Sequence, residues 1–112
     1  MTRIIGVHEC ELKPGVSAAE FEAAMDTMMK VPLYPGWKIC LLKSDRGGRA
    51  GKYGLLFEIE STEARDSVVT DAGFTKESEA FDAEHPELVA AWQHVTSLMD
   101  QTVWTDYLVI EA

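Results

Sequence analysis

The sequence predicts an α+β domain in which helices cover one face of a four-stranded antiparallel sheet. Three observations carry this. Four short runs alternate apolar and polar residues. The stretches between them repeat apolar residues at helical spacing. The resulting order is β-α-β-β-α(α)-β, with the second helical part divided. At 112 residues the chain has room for one core, so a single domain over residues 1–112 is expected.

The first strand is read from Ile4 to Leu12, which alternates loosely. Lys13-Pro14-Gly15 follows as turn chemistry, with proline fixing φ and glycine permitting the reversal. Ser17-Ala18-Ala19-Glu20 then has the spacing of a capping box. Phe21, Ala24, Met25 and Met28 place one apolar face on the helix it starts, and Pro32 and Pro35-Gly36 end it. Trp37–Lys43 and Tyr53–Glu60 read as the second and third strands, joined by the polar, glycine-rich tip SDRGGRAG. On the third strand, Tyr53, Leu55, Phe57 and Ile59 share a face.

A short helix is expected from Ser61 to Thr70, broken by Asp71-Ala72-Gly73, and another from Thr75 to Glu84. His85-Pro86-Glu87 starts a third, with proline at a tolerated first-turn position. Its face is Leu88, Ala91, Trp92, Val95 and Met99. Thr102–Ile110, rich in β-branched and aromatic residues, reads as the fourth strand. This is the split βαβ, or ferredoxin-like, order. Helices on one face leave apolar residues on the other: Ile5 with Val7, or Trp104 with Leu108 and Ile110, depending on register. A second copy packing sheet against sheet would cover them, so a homodimer is expected.

Charge excludes several functions. Nineteen acidic residues against ten basic ones give a net charge of -9. Neither nucleic acid nor an anionic membrane surface is an expected partner, because both need a basic field. No apolar run is long enough for a transmembrane helix, and the N-terminus lacks the apolar core of a signal peptide, so a cytoplasmic protein is expected. Cys10 and Cys40 form neither a disulfide framework nor a metal set, and read as buried thiols kept apart by the third strand.

The element order, the length and the segment His8-Glu9-Cys10-Glu11-Leu12-Lys13-Pro14-Gly15 together resemble the dimeric α/β-barrel superfamily. The resemblance covers nearly the whole chain. It implies a cleft between sheet and helices in each subunit, and functions ranging over cofactor-free antibiotic-biosynthesis monooxygenases, haem-degrading monooxygenases, polyketide cyclases and stress-responsive proteins. A polar residue in the middle of the first strand recurs in several branches, and here it is His8. Haem-degrading members place an asparagine there, and need a tryptophan and a ligating histidine on the second main helix. This chain has Asp66, Ser67 and Ser78 in that segment. Polyketide-cyclase members add a histidine after the third strand that has no clear counterpart.

His8 is the first candidate for chemistry. It shares a strand face with Ile4, Gly6, Cys10 and Leu12, and an imidazole titrating near neutrality in an apolar cleft suits a general base. The structural alternative is a buried histidine satisfied by a neighbour. Tyr53 and Trp92 are candidate pocket walls for a flat organic ligand, and His85 is a further ligand-binding candidate or a helix cap. His94 reads as exposed, and the three histidines lack metal-motif spacing, so no metal site is expected. Lys38, Lys43, Arg46, Arg49 and Lys52 read as a solvated hairpin tip, an anion site, or a contact for a partner's acidic helices. Glu9, Glu11, Glu58 and Glu60 are strand carboxylates that either face solvent or gather a cation. The functional expectation is a small apolar or aromatic ligand held in the cleft, with monooxygenase-like chemistry that needs no cofactor. A non-catalytic stress-response or interaction module and a haem-binding protein are the alternatives.

Overall fold

The computed structural model describes residues 2–49 and 51–111. Strand β1 (Ile4–Leu12) leads to helix α1 (Ala18–Lys30), then to strands β2 (Trp37–Lys43) and β3 (Tyr53–Ile59). Helix α2 (Thr62–Asp66) and a small hairpin, β4 (Val69–Thr70) with β5 (Gly73–Phe74), follow. Helices α3 (Lys76–Glu84) and α4 (Pro86–Ser97) lead to the last strand, β6 (Met99–Leu108). The main sheet has the order β2-β3-β1-β6, antiparallel throughout, which is the ferredoxin-like arrangement.

The starts of the helices follow the sequence chemistry. Ser17 accepts a hydrogen bond from the Glu20 amide, Ser61 from that of Ala64 and Thr75 from that of Ser78, each satisfying an amide that lacks a helical partner. Pro86 occupies the first turn of α4, and His85 joins α3 to α4 with a non-helical backbone, as a residue before proline prefers.

The core lies between the sheet and the helices. Ile4, Cys10, Leu55 and Ile59 from the sheet are buried against Phe21, Met25 and Met28 of α1 and Leu88 and Val95 of α4. Cys10 and Cys40 are free and sit in strands that β3 separates.

Three boundaries differ from expectation. The helix expected to run to Thr70 stops at Asp66, because Val68, Val69 and Thr70 are β-branched or extended and Gly73, at φ +109°, turns the chain into a hairpin. Met99 belongs to β6, opposite Leu12, not to the face of α4. The last strand therefore starts earlier and ends at Leu108.

One irregularity governs the site. Along β1 and β6 the pairing runs Leu12 with Met99 and Cys10 with Gln101, then resumes as Glu9 with Val103 and His8 with Trp104. The additional residue in β6 is a β-bulge, and it exchanges the two faces of the strand beyond it. Trp104 and Asp106 consequently share the helix-side face with His8 and Gly6, while Val103, Thr105 and Tyr107 join Ile5 and Val7 on the other.

Candidate functional site

A cavity of about 530 Å³ lies between the sheet and the helices. That is within the range of small-molecule pockets, roughly 300–1,000 Å³. Its floor is His8, Phe57 and Ile59, its roof Met28, Leu88 and Trp92. Val68, Val69 and Phe74, around the small hairpin, close one side, although Phe74 stays 70% exposed.

The turn before β2 supplies the wall next to α3. Tyr34-Pro35-Gly36-Trp37 closes with a hydrogen bond of 3.0 Å from the Trp37 amide to the Tyr34 carbonyl, and Gly36 has φ +81°. Pro at the second position and positive φ at the third are the requirements of a type II turn. The turn directs both Tyr34 and Trp37 to the cavity. Trp37 is then fixed by donating its indole N–H to the Ala64 carbonyl at 3.0 Å. The Tyr34 hydroxyl donates to the Asp82 carboxylate at 2.8 Å. Burial, reinforced by Asp82, pushes the Tyr34 hydroxyl well above its ordinary value, so it remains a donor.

His8 lies in the sheet floor, tilted against Phe57 and Trp104 with ring centroids 5.2 and 5.0 Å apart. Burial lowers the imidazole below its ordinary 6.5, and the Asp106 carboxylate pulls partly against that shift. The side chain is therefore mostly neutral at pH 7, able to accept a proton. Beside it, the Trp104 indole donates to Asp106 Oδ1 at 3.1 Å, and Arg65 Nη1 lies 3.5 Å from Asp106 Oδ2. A methyl group on Gly6 would come within 2.9 Å of Asp106 Oδ1, so the missing side chain makes room for this carboxylate above β1. Arg65, Asp66 and Asp71 line a shallower polar depression of about 670 Å³ that adjoins the cavity through Val69, Trp104 and Asp106.

Of the residues singled out from the sequence, His8 and Trp92 meet in this cavity. Tyr53 does not. It pairs with Cys10 at the far end of β3, its ring packs on Phe21 and its hydroxyl donates to Glu22. His85 also lies outside, stacked on Phe81 with centroids 4.1 Å apart and its Nδ1 3.3 Å from Glu87. Proline at position 86 fixes it as a junction between helices. The tip of the basic hairpin between β2 and β3 folds over the neighbouring strand β1: Arg49 lies 3.5 Å from Glu9 and Lys52 3.6 Å from Glu11. Those carboxylates are thereby paired, Arg46 extends into solvent, and no metal-binding cluster occurs among the described residues. Tyr34, Asp82, Trp104 and Asp106 were not singled out as site residues. Gly6, a glycine inside a strand, was the available sign that a side chain crosses β1 there.

No protein-family model matches the chain, and none of the curated proteins does. Solved structures match nearly its whole length. A dimeric ferredoxin-like protein of unknown function from Thermobifida fusca superimposes with a TM-score of 0.63 at 12% identity, covering 96% of this chain and 92% of that one. A dimeric protein of unknown function and ferredoxin-like fold from Bacteroides fragilis gives a TM-score of 0.56 at 18% identity, with 96% of each chain covered. SnoaB, a cofactor-independent oxygenase from Streptomyces nogalater, gives 0.58 at 12% identity, covering 100% of this chain and 97% of that one. The chain shares the ferredoxin-like fold of these proteins.

Proposed function

We propose that the protein binds a flat, largely apolar small molecule in the cleft and oxidises it with molecular oxygen, without a cofactor. The observation that carries this reading is His8, a mostly neutral imidazole in the floor of an aromatic-lined cavity. A substrate with an acidified C–H or O–H group beside His8 would lose its proton to the imidazole and then reduce oxygen itself. For a CH₂ group flanked by aromatic rings, one oxygen atom ends as the new carbonyl and the other leaves as water. The protein's tasks are deprotonation, orientation and exclusion of water. SnoaB, described as a cofactor-independent oxygenase on the same fold, supports the reading.

The outer sheet face favours a homodimer. Ile5, Val7 and Leu56 lie there with Leu42, Val103 and Tyr107, the last three exposed by 41%, 51% and 56% in the single chain. An apolar sheet face of this kind is suited to packing against a second sheet. Both relatives described as dimeric agree with this. Sedimentation of the purified protein should give a dimer; a monomer at micromolar concentration would remove this part of the reading.

The chemical part is tested by oxygen uptake with an anthrone as probe. The wild type should accelerate uptake above the spontaneous rate, and His8→Ala should lower turnover by about 10²–10⁴-fold, the usual contribution of a positioned base. Unchanged turnover in a folded variant would remove His8 from the mechanism.

A further inference from the structure

The charges around the cavity are one-sided. Among the described residues, Asp82 and Asp106 line it, and no lysine or arginine does. Arg65 is the nearest guanidinium along this wall, and it already lies against Asp66 and Asp106. Asp82 differs from Asp106. It accepts the Tyr34 hydroxyl at 2.8 Å, and no cationic side chain pairs with it among the described residues. In the same cavity lining, Tyr34 packs edge-on against Trp37 at 5.7 Å between centroids, and Phe57 contacts both Trp37 and Trp92 at 5.8 and 6.3 Å.

Aromatic rings next to an unneutralised carboxylate are the chemistry that recognises an organic cation. The ring faces attract the positive charge, and the carboxylate accepts its N–H groups. Carboxylate or phosphate ligands meet the opposite: an unpaired like charge at Asp82 and no lysine or arginine in the lining among the described residues, in a protein whose net charge is already -9. We propose that the cavity selects an aromatic ligand bearing a protonated amine, seated against Tyr34, Trp37 and Asp82, and discriminates against anionic ligands. This rests on the ligand-binding cleft proposed above and adds the ligand's charge class.

The test uses three probes of one shape and different charge: 2-naphthylmethylammonium, 2-naphthylmethanol and 2-naphthoate. All three tryptophans of the chain line the cavity, so their indole N–H signals in a ¹⁵N correlation spectrum report occupancy directly. The ammonium should bind at least tenfold more tightly than the naphthoate, with the alcohol between them. Asp82→Asn keeps an acceptor for Tyr34 and removes the charge, so it should bring the ammonium's affinity to that of the alcohol. If the alcohol or the naphthoate binds as tightly as the ammonium, the charge selection is wrong and the cleft reading stands. If the order persists in Asp82→Asn, Asp82 is not its source and the assignment fails. If none of the three shifts any indole signal, the cleft reading itself falls and takes this inference with it.

Discussion

Gly6→Ala tests how the floor of the cavity is built. Gly6 has no positive φ, so alanine fits its backbone. The added methyl would meet ordinary neighbours, Phe57 Cβ at 3.6 Å and the Trp104 indole nitrogen at 3.5 Å, but Asp106 Oδ1 at only 2.9 Å. The carboxylate must swing away and surrender its hydrogen bond from Trp104. A hydrogen bond to a charged acceptor contributes about 1.5–3 kcal/mol. Trp104 is 52% exposed, which places this one near or below the lower limit. Against that loss, alanine restricts the unfolded chain and returns about 0.4–1 kcal/mol. The net expectation is a loss of about 0.5–1 kcal/mol, read from urea denaturation at one fixed protein concentration. Asp106→Ala removes the obstacle, so in that background Gly6→Ala should change sign and stabilise by about 0.4–1 kcal/mol. An equal cost of Gly6→Ala in both backgrounds would refute the proposed contact.

Other expectations concern single groups. His8 binds protons less readily folded than unfolded, so the unfolded state holds more protons as the pH drops through 6.5. Its contribution is present in full above about pH 7.5 and is lost on acidification below that. His8→Gln should flatten this part of the stability profile, and identical profiles between pH 5 and 8 would contradict it. Tyr53→Phe removes a hydroxyl that donates to the exposed Glu22, so stability should fall by about 1 kcal/mol or less and naphthyl probe binding should not change. Tyr53→Ala also removes a ring packed in the core against Phe21, and should cost about 3–5 kcal/mol. Haemin titration should give no Soret shift beyond that of free haemin, since the proposed chemistry uses His8 as a base; a shift lost in His8→Ala would instead make it an iron ligand.

The fold was legible because it depends on periodicity. The alternation in Tyr53–Ile59, the apolar spacing of Phe21, Ala24, Met25 and Met28 and the capping serines each act over a few residues, and all agree on one architecture. The site was legible only in part. His8 was accessible from the pattern of β1 alone, since its neighbours Ile4, Gly6 and Cys10 are buried. Tyr53 was misplaced because shared face does not mean shared depth: it lies on the same side of β3 as Phe57 but at the other end, with Leu55 between them. Asp82 could not be recognised from α3, whose other acidic residues Glu77, Glu79 and Glu84 are exposed and look no different in sequence. The contact that sets it apart is with a tyrosine 48 positions away.

The bulge in β6 has an evolutionary consequence. A strand alternates strictly, so a chain that kept residue 102 but paired without the bulge would present 103, 105 and 107 to the helix side in place of 104, 106 and 108, whereas loss of residue 102 itself would restore regular pairing and leave Trp104 opposite His8. Loss of the bulge with residue 102 retained would thus replace the tryptophan and the aspartate in the floor with Val103 and Thr105 in one step, and turn the former floor residues toward the opposite face of the sheet. Point substitutions would need several independent changes to do the same. Among proteins of this fold that differ by one residue in the last strand, positions matched without a gap would not be equivalent in space. Ligand preference could then diverge abruptly while the helices, the strand order and the remaining core stayed as they were.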